Sequence, residues 1–255
     1  MKGDADISIP AALIGDAARS RLLMALADGR ALPASRLAAE AGVAASTASE
    51  HLAKLRAGGM VVVETQGRHR FYRIGDDRVM RAVEALAAIA PTVPVRSLRQ
   101  GTRAHALRRS RLCYDHLAGR LGVALMAALL DDGALTGGDG IHHPETATDD
   151  RFSAPGHDVD YLLTEHGAVL LGSFGVDVDA LRAGRRPLIR YCLDWTEQRH
   201  HLAGALGAAL ADRLFELDWL RRAPTHRAVR LTDAGRSGLA ADFGLHFDDD
   251  GARTA

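Results

Sequence analysis

A ten-residue stretch occurs twice in this chain, and no other feature constrains its fold as strongly. His116-Leu117-Ala118-Gly119-Arg120-Leu121-Gly122-Val123-Ala124-Leu125 is matched 85 positions later by His201-Leu202-Ala203-Gly204-Ala205-Leu206-Gly207-Ala208-Ala209-Leu210. A second pair, Leu163-Thr164-Glu165-His166-Gly167 with Leu231-Thr232-Asp233-Ala234-Gly235, is separated by 68 positions. Cys-x-Asp stands just ahead of each first element, as Cys113-Tyr114-Asp115 and Cys192-Leu193-Asp194. Three matched elements in one order make residues 110–245 two copies of one plan, read as helix, strand, strand, helix. The copies span about 111–180 and 190–245, with first helices expected over 111–130 and 191–217. Gly119 with Gly122, and Gly204 with Gly207, lie three apart on one helical face, so these two helices are expected to pack on each other about a pseudo-two-fold axis.

The first ninety residues have a different rhythm. Leu22, Leu23 and Leu26 make one helical stripe, which Asp28-Gly29 stops. Residues 33–41 predict a brief helix, Gly42 breaks it, and 44–57 predict a second with Ala48, Leu52 and Leu55 inward. Two helices about a tight glycine turn make a helix-turn-helix. After Gly58-Gly59 the period changes to a β-branched run, Met60-Val61-Val62-Val63, then Gln66-Gly67, then Arg68 to Ile74, which is a hairpin with a basic tip. Val79, Val83, Leu86 and Ala87 give residues 76–90 one apolar face that something has to cover.

Gly42-Val43-Ala44-Ala45-Ser46-Thr47-Ala48-Ser49-Glu50-His51-Leu52-Ala53-Lys54-Leu55, followed by Gly58-Gly59-Met60-Val61-Val62, Gly67-Arg68 and Tyr72-Arg73, resembles the DNA-binding segment of the ArsR/SmtB family of bacterial transcriptional repressors. The resemblance covers about residues 10–90 and implies a winged helix-turn-helix. It also implies a homodimer formed through the first and last helices of this module, a palindromic double-stranded DNA operator, and release when an effector binds. The fold class that follows is mainly α with small β-hairpins (α+β), a winged helix ahead of two copies that resemble degenerate winged helices. The expected domains are a DNA-binding and dimerisation domain at 1–90, a basic linker at 91–110, an effector or dimer-stabilising domain at 111–247, and an acidic tail at 248–255.

Charge agrees with that division. Lys plus Arg and Asp plus Glu are 32 each, yet residues 91–112 hold six basic side chains and no acidic one, while 113–255 hold 14 basic and 22 acidic. The sum therefore hides a basic front and an acidic rear, the asymmetry a polyanion-binding chain can use. The DNA-contacting set is assigned to Ala45, Ser46, Thr47, Ser49, Glu50, His51 and Lys54 of the second helix, with Arg68, His69 and Arg70 of the hairpin. Short hydroxyls near a helix N-terminus reach base edges or phosphates, and hairpin cations contribute a salt-dependent hold on the backbone. Thr47 has helix capping as its other reading. Glu50 departs from expectation by setting a carboxylate beside phosphates, unless it accepts from a cytosine amino group. The basic stretch from Arg96 to Arg111 reads as a solvated connector in preference to a helix lying along DNA.

The metal motifs implied by the resemblance are missing. Residues 30–37 hold no cysteine, and the closing helix has Asp76, Asp77 and Glu84 but no histidine. Sensing is therefore expected in the duplicated domain, where Cys113, Asp115, His116, Cys192, Asp194 and His201, with His200 beside them, offer thiolates, carboxylates and imidazoles. Zn(II), As(III), reversible oxidation, or no cofactor at all stand open there. Both cysteines also lie on apolar stripes, and their reading as small buried hydrophobes carries the greater weight. A third option is an organic ligand in a pocket lined by Tyr114, Tyr191, Trp195 and Trp219, residues that core packing equally explains.

Composition excludes other classes. At 47% hydrophobic the chain is not disordered, and no run approaches the roughly 18 apolar residues of a membrane span. Residues 1–10 carry no secretory core, so a cytoplasmic protein with reduced thiols and no membrane partner is expected. No Gly-x-Gly-x-x-Gly, phosphate loop, Gly-x-Ser-x-Gly or His-Glu-x-x-His occurs, so no enzyme is expected. The remaining alternatives are a winged-helix module that binds only protein, which would fail to retard DNA at low salt, and a repressor fused to an enzymatic domain.

Overall fold

The computed structural model describes residues 4–67, 69–91, 98–143, 155–156, 159–223 and 227–248, and divides into two compact units, 1–83 and 84–255. Arg68, the 92–94 segment and most of the 248–255 tail lie outside the described residues. Among the described residues no helix is long and apolar enough to cross a membrane.

In the first unit α1 (Ser8–Ile14) precedes α2 (Ala17–Ala25), whose N-terminus is capped by Asp16 accepting from the amides of Ala18 and Arg19. A two-residue strand, β1 (Leu32–Pro33), leads into α3 (Ala34–Ala41). Gly42 then turns the chain at φ +67°, a conformation that costs glycine little, and α4 (Ala45–Ala57) follows. β2 (Val61–Gln66) and β3 (His69–Ile74) form the wing, in register from Val61 opposite Ile74 to Gln66 opposite His69, with β1 on the outer edge of β3. Leu22, Leu23, Leu26, Leu37, Leu52 and Leu55 are fully buried between the helices. This is the winged helix-turn-helix expected from the periodicities, with α1 added ahead of it. α5 (Asp77–Ile89) closes the segment and runs past the boundary of the unit.

The second unit opens with α6 (Leu98–Arg109), so the basic stretch is a helix, where a connector was expected. Its carbonyls meet the next element: a Cβ on Gly119 would lie 2.7 Å from the Arg108 oxygen. The first copy is β4 (Arg111–Cys113), β5 (His116–Ala118), α7 (Gly119–Asp131), β6 (Leu135–Thr136), β7 (Pro155–Gly156), β8 (Leu162–Leu163), α8 (Glu165–Ser173) and α9 (Val178–Ala183). The second is β9 (Arg190–Leu193), β10 (His200–Ala203), α10 (Gly204–Glu216), β11 (Leu220–Arg222), β12 (Val229–Leu231) and α11 (Asp233–Phe243). Thr164 and Thr232 cap α8 and α11 in the same way, each accepting from the amide of a glycine three residues on.

One expectation is corrected here and another is extended. The helices expected over 111–130 and 191–217 begin only at Gly119 and Gly204, because an antiparallel hairpin stands ahead of each. Tyr114 turns the first hairpin at φ +62°, and Gly119 and Gly204, at +76° and +81°, redirect the chain from strand into helix. The small faces of Gly122 and Gly207 do meet, lining one small cavity with Leu125 and Leu210 of the same helices, but they serve a second purpose as well. Each lets a helix sit on its own hairpin: a Cβ would stand 2.4 Å from the Leu117 carbonyl and 2.6 Å from the Leu202 carbonyl. The copies interlock, α7 packing on β10 and α10 on β5. The Leu112 amide of β4 donates to the Arg227 carbonyl of the second copy, and the Val229 amide donates back to the carbonyl of Ser110 just ahead of the strand, while β7 of the first copy pairs with β9. One apolar core, including Leu117, Leu121, Leu125, Leu202, Leu206 and Leu210, runs through both copies.

Candidate functional site

On α4 the three buried positions are Ala48, Leu52 and Leu55, so helical geometry turns Ala45, Ser46, Ser49, Glu50 and Lys54 to solvent. Ala44 provides the N-cap without a side-chain bond, so neither Ser46 nor Thr47 is spent on capping; Thr47 is half-buried. The Ser49 hydroxyl bonds back to the Ala45 carbonyl at 2.9 Å, a bond that water or a base edge can replace. His51 is turned the other way, its Nδ1 buried 3.8 Å from Asp16, and so stands apart from the outward row. His69 and Arg70 are exposed at the start of β3, and Arg73 is drawn along the wing to Glu64.

The second unit holds a buried cluster. In each hairpin a cysteine and a histidine face each other across the strands, Cys113 opposite His116 and Cys192 opposite His201. Directly opposed residues project to the same side of a sheet. The two hairpins meet so that one Sγ or ring nitrogen from each of the four residues lies within 4.8 Å of all the others. His116 and His201 stack at 5.2 Å between ring centroids. Strand alternation sends the neighbouring His200 to the opposite face, where Tyr161 meets its Nδ1 at 2.7 Å.

Around the four stand the two expected carboxylates. Asp115 lies 3.1 Å from Nδ1 of His116 and also pairs with Arg186. Asp194 is 3.7 Å from Nδ1 of His201. It accepts from the Gly119 amide at 2.6 Å, from Thr196, and from Arg111 at 2.9 Å. Arg111 is completely buried, lies 4.6 Å over the Trp195 ring, and links β4 of one copy to Asp194 of the other. Sequence reasoning missed it by counting it as one charge in a basic run.

The environment fixes the metal-free charge states. The Cys192 side chain, then burial and the Glu84 carboxylate, push the Cys113 thiol well above its ordinary value, so it stays protonated at neutral pH. Burial, joined by the nearby cations, pulls His201 down to about 3 against the opposing carboxylate of Asp194, leaving a neutral ring. Burial also works against a charged His116, yet the Cys113 sulfur and the Asp115 carboxylate outweigh it and raise this ring to about 9. A neutral Cys113 thiol exerts no Coulombic pull, and the part that remains is the upward pull of the Asp115 carboxylate 3.1 Å from Nδ1.

The four aromatic residues have separate neighbours. Tyr191 is buried against Tyr161 and His200, Trp219 packs on Phe174, Trp195 lies under Arg111, and Tyr114 occupies the β4–β5 turn. Tyr191 and Trp219 belong to the apolar core, whereas Tyr114 and Trp195 lie outside it.

Comparison with known proteins bears on both units. A family described as a helix-turn-helix domain, HTH_20, matches residues 14–64. The chain is 38% identical over 224 residues, 88% of its own length and 91% of the other, to YdfF of Bacillus subtilis, described as an uncharacterized HTH-type transcriptional regulator. Over 80 residues, 31% of this chain and 67% of the other, it is 38% identical to the HTH-type transcriptional regulator CmtR of Mycobacterium tuberculosis. The solution structure of CmtR, described there as a cadmium metal-sensor, aligns with 36% of this chain and 94% of its own at 33% identity and a TM-score of 0.30. The homodimeric winged helix-turn-helix domain of Mb0332 from Mycobacterium bovis, described as a possible ArsR-family regulator, aligns with 35% of this chain and 89% of its own at 24% identity and a TM-score of 0.31.

Proposed function

The chain belongs to the ArsR-type helix-turn-helix transcriptional regulators, and from that premise we propose that it is a homodimeric repressor released from its operator by an effector acting in the second unit. The observation that carries the reading is the outward row on α4, Ala45, Ser46, Ser49, Glu50 and Lys54, in the same unit as a wing bearing exposed His69 and Arg70. A recognition helix needs short polar side chains free near its N-terminus, and a wing supplies backbone contacts. Dimerisation is supported by apolar side chains left in solvent on the first and last helices of the module: Ile9 on α1 is 63% exposed, and Leu86 and Ile89 on α5 are 45% and 60% exposed.

An effector site in the second unit is supported by the convergence of the cysteines and two buried histidines there, while residues 30–37 offer no thiolate and α5 no imidazole. The test is binding of the reduced protein to DNA from upstream of its own gene, titrated with salt, beside sedimentation of the free protein. Affinity that falls linearly with the logarithm of salt concentration, from a dimer, supports the reading. No retention of DNA at low salt overturns it in favour of a winged helix that binds only protein.

A further inference from the structure

We propose that Cys113, His116, Cys192 and His201 form a closed four-coordinate site for a thiophilic divalent cation of the Zn(II) class, with one cysteine–histidine pair supplied by each copy of the duplicated unit.

The first support is geometry. Bonds of about 2.3 Å to sulfur and 2.0–2.1 Å to nitrogen place neighbouring donors of a tetrahedron roughly 3.3–3.8 Å apart. The four donor atoms already lie within 4.8 Å of one another, so side-chain adjustments of an ångström or less close the set.

The second support is what burial leaves unpaired. Both ring nitrogens of His201 and Nε2 of His116 are buried with no hydrogen-bond partner among the described residues. Buried polar atoms left unpaired are costly, and native interiors rarely keep three in one place. A disulfide between Cys113 and Cys192 would leave all three as they are. A cation at the centre takes a lone pair from Nε2 of each ring as well as from each sulfur, which pairs two of the three and leaves Nδ1 of His201 facing Asp194 at 3.7 Å.

The surroundings also choose the ligand atoms. Asp115 at Nδ1 of His116 holds the proton on that nitrogen and turns Nε2 inward, the carboxylate–histidine arrangement common behind metal ligands. Asp194 occupies the Nδ1 side of His201 and so favours Nε2 there as well. Two sulfurs with two imidazoles suit a tetrahedral Zn(II)-like ion, whereas As(III) seeks a third thiolate that the chain does not have. Coordination needs both sulfurs as thiolates and both rings neutral, so the protons held by the sulfurs and the Nε2 proton of a charged His116 pass to solvent, and the two thiolates balance the divalent cation within the four-ligand set.

The site stands on the second unit's geometry alone, and only its role as the effector site rests on the function proposed above. The experiment is titration of the reduced, chelator-stripped full-length protein with Co(II). Visible absorption of tetrahedral intensity with thiolate-to-metal charge transfer, saturating at one equivalent per chain and displaced by Zn(II), is the expected result. Cys192→Ser, at the partly exposed cysteine, should lower the charge-transfer intensity by about half, since one of two thiolates is lost. A weak octahedral spectrum, no uptake by wild type, or a disulfide that forms in air in a protein taking up no Co(II) after reduction would each overturn the site. The wild-type spectrum decides even if a variant fails to fold. DNA retardation on the same preparation separates the two proposals, because an intact Co(II) spectrum without DNA binding overturns the repressor and leaves the site standing.

Discussion

Arg111 and Asp194 show how a single pair can hold the second unit together. Both are fully buried, they come from different copies, and Asp194 also fixes the first turn of α7 through the Gly119 amide. Removing one partner of such a pair strands the other charge, so Arg111→Ala is expected to cost about 3–5 kcal/mol, read as a lower midpoint in urea unfolding. Burial alone would raise the Asp194 carboxyl, but Arg111 and the hydrogen bonds around it hold it below the ordinary carboxylate range. A depressed carboxyl stabilises the fold in full above its unfolded value of about 4 and loses that contribution as pH falls. Wild type should therefore lose stability on acidification below about pH 4 more steeply than Arg111→Ala, measured by the pH dependence of the unfolding midpoint. Nothing in the sequence distinguished Arg111 from its basic neighbours, since its role comes from a cross-copy contact 83 residues away. The cysteines and histidines were legible because the repeat places each of them beside a matched element.

At the scale of elements, repeated caps and repeated glycines make paired predictions. Thr164→Ala and Thr232→Ala each remove the side-chain acceptor of a glycine amide at a helix N-terminus and should cost about 1 kcal/mol apiece. Gly122→Ala and Gly207→Ala push a methyl group into a hairpin carbonyl and should each cost about 1–3 kcal/mol by thermal or denaturant unfolding. A Gly122→Ala variant as stable as wild type would contradict the placement of α7 on its hairpin. On the wing, Arg70→Ala should weaken DNA binding alike for all sequences and reduce the salt slope by about one. Periodicity gave away α2 through α5 because Gly42 and Gly58-Gly59 punctuate them. It misplaced the starts of α7 and α10 because Cys113, Leu117 and Leu121, spaced as a helical stripe, are equally compatible with a strand pair followed by a helix. Only the register, with Cys113 opposite His116, tells the two apart.

Across the whole molecule, DNA reading belongs to the first unit and response to the second in the function proposed. The duplicated unit supplies what a single copy cannot: a core shared by α7 and α10, and a cluster whose ligands come half from each copy. A chain with one copy would expose the apolar faces of its hairpin and helix and hold one cysteine and one histidine of the set. The duplication itself was legible in the sequence, but the crosswise seating of each helix on the other copy's hairpin was not, because no residue pattern states which copy a strand pairs with. The most direct test of the central claim is fluorescence anisotropy of DNA from upstream of the gene, with the reduced, metal-stripped protein across a salt series, before and after Zn(II). Tight, salt-dependent binding that Zn(II) weakens in wild type and leaves unchanged in Cys113→Ser/Cys192→Ser is the expected result. Absence of binding at low salt, or binding that responds to Zn(II) equally in both proteins, would contradict it.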